Sequence, residues 1–391
     1  MKRFLLIIIL LFVCAFSLCA EDERIFIDAK INGKPVRFAF DTGAGVPFIL
    51  YSTTARRLGL KVTPPSPDDQ PGPGQTAFGG TELSHLDLGI TNVVTRFGVV
   101  EIPTYVKLPG DGTLGWPAIS NNIFSIDFVT HTFNFLTNAP EASADWITFH
   151  IQTVAGDLTL ELPGDKNVKK IIAIDSGSPY GVDLSPQRWR EWKVNHTNQP
   201  TSMLAYYTPN PGLLVSEEIW ARDIIIDPLV LADVPVMEAN PSEVALFSSA
   251  QTQFQAKLGF AALKRLDVII DGKRGIAYLR PRQTPPLPYE HNRLGAAFAP
   301  RNTKNDDLVA HVADGSPAYE AGIRNDDVLL KIGKLNATKW RTDPNVLPLS
   351  HFWNSPPGTK LELTLKRAGK IFTTTAMLRN ILPPDAPKNS N

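Results

Sequence analysis

Phe38-Ala39-Phe40-Asp41-Thr42-Gly43-Ala44-Gly45 puts an aspartate at the end of an apolar run and follows it with a hydroxyl residue and a glycine. Ile171-Ile172-Ala173-Ile174-Asp175-Ser176-Gly177-Ser178 repeats the arrangement in the second half of the chain. Matching parts trail each copy. First comes a helix-sized segment, Thr53 to Leu58 after Ser52, and Pro186 to Lys193 after Ser185. Then comes a leucine-glycine pair, Leu114-Gly115 and Leu258-Gly259, and last an Ile-Asp step before a turn and a closing strand, Ile126-Asp127 and Ile270-Asp271. Gly115 to Asp127 and Gly259 to Asp271 are equally long, while the stretch from aspartate to glycine is longer in the second copy, as one longer loop would make it. A fixed order of matching parts is the mark of an internal repeat. Residues 24–280 therefore read as two copies of a β-rich lobe, at 24–140 and 147–280.

Within the first copy, Ile25–Ile31 and Pro35–Phe40 read as strands around an Asn32-Gly33 hairpin turn. Gln75–Ile90, with Gly79-Gly80 inside, reads as a second hairpin, and Val93–Ile102 as a strand. Ser52 and Ser185 precede their helices as caps, and Pro186 suits a first helical position. Pro and Gly cluster at 64–74, which reads as a loop. Residues 281–293 read as a Pro-rich, semi-rigid linker, 294–382 as a further domain and 383–391 as a disordered tail.

With 43% hydrophobic and 20% charged residues, the chain has the apolar content of a globular protein. Lys+Arg and Asp+Glu balance at 39 each, so nothing points to nucleic acid as a partner. Lys2 and Arg3 precede an apolar run from Phe4 to Phe16, with small residues near Ala20. Residues 1–20 read as a signal peptide that engages the export machinery, because the run is shorter than the ~20 residues of a membrane span. The expected location is periplasmic or secreted. Cys19 near the cleavage point suggests a lipid anchor, but the large Leu18 before it argues against one. Cys14 and Cys19 are the only cysteines, so the exported chain would have no disulfide, thiol nucleophile or thiolate ligand. The histidines lack metal-ligand spacing, there is no Gly-x-Ser-x-Gly elbow, and Gly72–Gly80 fits no phosphate loop. No metal and no cofactor are expected.

The paired aspartates suggest a chemistry. Two carboxyls at strand ends, facing one another about 3 Å apart, cannot both ionise and share one proton. One takes a proton from water while the other protonates a substrate carbonyl, then the leaving nitrogen. The pair titrates as a unit. Gly43 and Gly177 would permit close backbone approach, and the hydroxyl of Thr42 or Ser176 would bond across the axis. Ser178 occupies the place that Ala44 holds in the first copy. A serine hydroxyl there can bond its own carboxylate, so Asp41 is expected to be the less stabilised carboxylate, with an optimum nearer neutral than in strongly acidic enzymes.

These residues resemble the retropepsin-like aspartic proteases, in the bacterial arrangement of two protease lobes followed by a PDZ domain. The resemblance implies a mainly β fold of duplicated acid-protease-like lobes. It implies catalytic Asp41 and Asp175, supported by Thr42, Gly43, Ser176, Gly177 and Ser178, with a flap at 75–84. It departs at Thr113 and Lys257, polar residues where the family has apolar ones before Leu-Gly. Tyr206 and Tyr207 fall where a second flap would lie. Near the C-terminus, Ser316-Pro317, Ala321-Gly322-Ile323 and the Asp-led strand after them resemble the PDZ signature, with Asp326 where glycine is usual. That implies a peptide-carboxylate loop at Leu294-Gly295-Ala296-Ala297-Phe298, a groove helix near Leu347–Trp353, and a peptide C-terminus as ligand. The expected function is an exported aspartic endopeptidase acting on protein or peptide substrates. The alternative is a catalytically silent, peptide-binding adaptor of the same build.

Overall fold

The computed structural model describes residues 24–63, 78–89, 92–102, 109–139, 145–164, 167–208, 212–282, 289–301, 306–343, 346 and 348–382. The expected signal peptide, the Pro-rich loop at 64–74, residues 75–77 of the expected flap, Leu347 and the tail lie outside them. Among these residues the chain is mainly β, in sheets of nine, twelve and six strands. Among the described residues no helix is long and apolar enough to cross a membrane.

The first sheet is built around the approach to Asp41. Phe26–Ile31 and Lys34–Asp41 pair antiparallel. Asn32 and Gly33, at φ 50° and 79°, close the turn in the left-handed conformation these two residues tolerate best. Lys34–Asp41 grows more buried toward its end, because strand Gly112–Gly115 joins it there in parallel, with Asp41 opposite Gly115. Strand Phe48–Tyr51, which leaves the aspartate loop, pairs with Gly112–Gly115 from the other side. A Cβ on Gly115 would lie 2.1 Å from the Val46 carbonyl oxygen and 2.4 Å from that of Ala44. Only glycine lets the loop fold back over this strand.

The twelve-stranded sheet repeats this order around Asp175. Lys169–Ile174 runs parallel to Thr252–Leu258, and Val182–Leu184 pairs antiparallel with the same strand. Leu229–Glu238 then lies parallel to Val182–Leu184, as Gly98–Val100 does to Phe48–Tyr51. Gly259 matches Gly115: a Cβ there would lie 2.5 Å from the Tyr180 carbonyl oxygen.

Two strands from the first half, Ile123–Asp127 and Thr132–Phe135, complete the twelve-stranded sheet. Ile123–Asp127 pairs antiparallel with Leu266–Asp271, with Ser125 opposite Ile269. Since Asp127 and Asp271 occupy matching places, Ser125 and Ile269 match as well, and the pairing is self-complementary. One hydrophobic core runs through both halves, joining Phe38, Phe40, Leu114 and Phe124 to Leu158, Ile174, Leu258 and Ile270. Phe40 anchors it through rings at 6.0 Å (Phe124) and 5.0 Å (Phe133).

Three local expectations are corrected. Gln75–Ile90 is not one hairpin. Phe78–Thr81 is held between Val62–Thr63 and Gly98–Val100, whereas Ser84–Asp87 pairs with Phe26–Ile31 and Asn92–Thr95. Gly79 is not a turn residue but lets the Thr63 carbonyl approach, at 2.8 Å from where its Cβ would be. Val93–Ile102 is two strands, Asn92–Thr95 and Gly98–Val100, because Phe97 is buried and hydrogen-bonded to Thr81 between them. Finally, the 281–293 stretch does not end as a spacer: His291 and Asn292 are buried by packing between the second and third sheets.

The third sheet runs Ala296–Pro300, Leu308–Val312, Val328–Ile332, Lys360–Arg367, Lys370–Met377, with its own core of Leu294, Phe298, Trp340, Trp353 and Leu363. Ser316 caps helix Pro317–Glu320 by accepting from the Tyr319 amide. Asp326 holds the left-handed conformation at φ 71°, which aspartate tolerates better than most residues. The expected groove helix is the short Ser350–Trp353.

Candidate active site

Asp41 ends its strand and Asp175 directly follows Lys169–Ile174, and both are buried. The two loops grip each other. Thr42 Oγ1 donates to the Ile174 carbonyl at 2.6 Å, and Ser176 Oγ donates to the Phe40 carbonyl at 3.1 Å. Each hydroxyl also accepts the backbone N–H of the other residue at 3.0 Å. The hydroxyls thus satisfy backbone groups that the crossing would otherwise strand. The glycines bring the carboxyls to the crossing. A Cβ on Gly43 would lie 2.6 Å from Asp175 Cγ, and one on Gly177 2.3 Å from Asp41 Cγ. No side chain fits between either glycine and the opposite carboxyl.

The carboxyls are held by amides of their own loops. Asp41 Oδ1 accepts from Gly43 N–H at 2.9 Å. Asp175 Oδ1 accepts from Gly177 and Ser178, each at 3.0 Å. The expected bond from the Ser178 hydroxyl is not made. Its Oγ is buried and finds no hydrogen-bond partner among the described residues. The Ser178 amide already holds the near oxygen, and an alanine could supply that amide equally well.

The larger inequality between the loops comes from residues that motif reading passed over. Lys257 is 2% exposed. Its ammonium is 3.5 Å from Asp175 Oδ2, 3.0 Å from Asp183 Oδ2, and bonded to Glu243. Burial alone would lower this lysine, but Glu243, Asp183 and Asp175 together hold it well above the usual lysine range. One cation among three carboxyls leaves the group over-supplied with acid. Burial raises Asp183 to about 7 despite the Lys257 ammonium beside its Oδ2. Burial raises Glu243 as well. Asp157 follows the turn at Ala155-Gly156 that packs against the first aspartate loop. There the Leu158 amide donates to the Thr42 carbonyl at 3.0 Å. Burial, with Asp175 and Asp41 nearby, raises the Asp157 carboxyl well above the ordinary range. Lys257 stood out in the sequence only as a polar residue at an apolar place; Asp157, Asp183 and Glu243 carried no local signal.

Each half also carries an antiparallel strand pair. In the first half the arms are Val62–Thr63 and Phe78–Thr81; in the second they are Thr201–Thr208 and Gly212–Ile226. Tyr206 packs on Tyr180 at 5.6 Å, and burial, with Asp183 adding to it, raises the Tyr206 phenol. The side chain of Tyr207 lies outside the described residues.

The loop Leu294–Phe298 sits against the second of these strand pairs. Strand Ala296–Pro300 is the edge of its sheet and packs on Thr201–Thr208 and Gly212–Ile226. Asn292 joins the two regions. Its Oδ1 accepts from the Leu294 and Gly295 amides at 2.9 and 3.1 Å, and its Nδ2 donates to the Met203 and Ala296 carbonyls at 2.8 Å. Ser202 Oγ donates to the Asn292 carbonyl at 2.6 Å. Amides that the sequence resemblance assigned to a peptide carboxylate thus donate to a side chain of the same chain. Ala297 and Phe298 are buried within the third sheet.

Comparison with known proteins agrees with this geometry over part of the chain. No curated protein matches. Residues 27–118 match the aspartyl protease family, a segment that holds Asp41-Thr42-Gly43 and reaches just past Leu114-Gly115. The first half of the site therefore lies in a segment similar to the aspartyl protease family.

Proposed function

We propose that the chain is an exported, retropepsin-like aspartic endopeptidase. Its two lobes, 24–140 and 147–280, each give one aspartate to a single in-chain site, and a PDZ domain at 294–382 recruits substrates or partners. The observation that carries the reading is the reciprocal crossing of the loops: Thr42 and Ser176 bond across it, and Gly43 and Gly177 each face the opposite carboxyl. The family match spans Asp41, and the crossing supports Asp175, outside that segment, as its partner.

The chemistry follows from one proton shared by two carboxyls. The ionised member takes a proton from a water, whose oxygen attacks the peptide carbonyl. The protonated member gives its proton to the carbonyl oxygen. Proton return to the nitrogen then breaks the C–N bond, with no covalent enzyme intermediate.

The test is hydrolysis of an unfolded protein substrate by the purified chain lacking residues 1–20. Asp41→Asn and Asp175→Asn should each remove activity, by about 10²–10⁴-fold or more. Full activity in either single variant would rule out the shared pair. A second reading, a silent peptide-binding adaptor, draws on the ammonium beside Asp175. It requires an inactive wild-type chain that still binds unfolded peptide.

A further inference from the structure

Lys257 and Thr113 occupy the same place in the two halves. Each directly precedes Leu-Gly on the strand that runs parallel to an aspartate's approach strand, Thr113 opposite Ala39 and Lys257 opposite Ala173. Thr113 offers a neutral hydroxyl that finds no hydrogen-bond partner among the described residues. Lys257 offers a buried ammonium. The backbone is therefore near-symmetric about the pair while the charge is not.

We infer that Lys257 is a positioning residue that assigns the roles within the pair, making Asp175 the base and Asp41 the acid. The inference rests on the aspartic protease reading above. Three donors reach the Asp175 carboxyl: the Gly177 and Ser178 amides on Oδ1, and the Lys257 ammonium facing Oδ2. Three donors on one carboxyl favour its ionised form, which leaves the proton of the pair to Asp41. In the reaction, the water oxygen bonds to the carbonyl carbon, the water proton passes to Asp175, and the Asp41 proton passes to the carbonyl oxygen. On collapse the C–N bond breaks, the Asp175 proton goes to nitrogen, and a diol proton returns to Asp41.

Other charges bear on Lys257. Asp183 faces it from strand Val182–Leu184 and Glu243 from helix Pro241–Phe247. Asp157, from strand Asp157–Leu162, feels its charge, and so does Tyr206 on strand Thr201–Thr208. Asp183 and Glu243 are both pushed up by burial.

Two variants pull on this arrangement from opposite sides. Lys257→Met keeps the length and removes the charge. Glu243→Gln keeps the shape and removes the lysine's nearest carboxyl. The readout is the pH profile of kcat/KM on an unfolded protein substrate, with thermal unfolding to establish that each variant folds. Lys257→Met should displace the acidic limb upward by about one pH unit, a tenfold loss on that limb. Glu243→Gln should displace it downward. A purely structural lysine would change stability or amplitude and leave the limb in place in both, which would overturn the inference. If Lys257→Met does not fold, Glu243→Gln decides alone. Titration of the aspartate side-chain carbons by ¹³C NMR, assigned with Asp175→Asn, needs no turnover. An inactive wild-type chain would defeat the protease reading. An Asp175 resonance that titrates identically in wild type and folded variants would defeat the role of Lys257.

Discussion

Around Asp41 and around Asp175 the chain builds the same object twice and charges it differently. Both aspartates end a strand that meets a Leu-Gly strand in parallel, and both loops fold back over a glycine. Both hydroxyls reach across to the other half. Yet the Asp41 side has Thr113 where the Asp175 side has Lys257, and the acids surrounding that lysine, Asp157, Asp183 and Glu243, all come from the second half. Backbone geometry is repeated because each copy must solve the same packing problem. Charge is not repeated: the lysine and the carboxyls around it stand on one side only.

The comparison can be broken most forcefully at the crossing. Gly43→Ala and Gly177→Ala each push a methyl into the opposite carboxyl, so both should destroy activity and cost roughly 1–3 kcal/mol. Gly177→Ala should be the worse, since its approach is 2.3 Å against 2.6 Å. Denaturant unfolding and hydrolysis assays read both effects. Equal stability to wild type would mean that the loops do not meet in this way.

Burial of a lone acid in the second half gives a further pH effect. Glu218 lies where strand Gly212–Ile226 meets the third sheet, and burial pushes it up to about 7 while the Tyr289 hydroxyl donates to it. Its ordinary value is 4.5. Between those values the folded state keeps a proton that the unfolded chain has released, so its contribution makes stability fall as pH rises through this window and level off above it. Glu218→Gln lacks that slope. It should gain on wild type from pH 4.5 to 7, by up to about 3 kcal/mol. Denaturation of both proteins at pH 5 and pH 8 measures the difference; an unchanged difference would place Glu218 in an ordinary ionised state.

The cross-bonds should prove unequal as well. Thr42 Oγ1 makes the shorter bond, and its removal strands the Ile174 carbonyl. Thr42→Val should cost about 1–2 kcal/mol, and Ser176→Ala somewhat less. The double variant should cost less than the sum, because the two hydroxyls share partners. Strict additivity in a double-mutant cycle would deny the mutual grip. Ser178→Ala should have the smallest effect, within about 0.5 kcal/mol and with no movement of the pH profile, because its hydroxyl finds no partner among the described residues. A moved profile would restore the serine as the source of the asymmetry.

Features that depend on neighbouring residues were legible in advance. The Asn32-Gly33 turn and the left-handed Asp326 each follow from the local chemistry of one or two residues, whereas the caps expected of Ser52 and Ser185 are not made: Ser52 lies inside its helix, and the Ser185 side chain makes no cap bond. The hairpin expected over Gln75–Ile90 failed because glycines mark close approach as well as turns, and the partner at Thr63 lies on the far side of a long loop. The third sheet repeats that lesson. Leu294-Gly295 was readable as a carboxylate loop, but Asn292, only two residues earlier, was not readable as the group that fills it. Its other bonds go to Met203 and Ser202, about ninety residues away.

By itself the sequence determined that there are two aspartate loops, which strands lead into them, and that a Leu-Gly segment stands behind each. Those are statements about residues adjacent in the chain, repeated in one order. Only the tertiary structure decided that the loops cross, and that Lys257 reaches the second aspartate. It also decided that Asp157, Asp183 and Glu243 crowd the site. The reason is electrostatic: the balance of a carboxyl pair depends on every charge within a few ångströms in a buried medium, and those charges arrive on strands and a helix far apart in sequence.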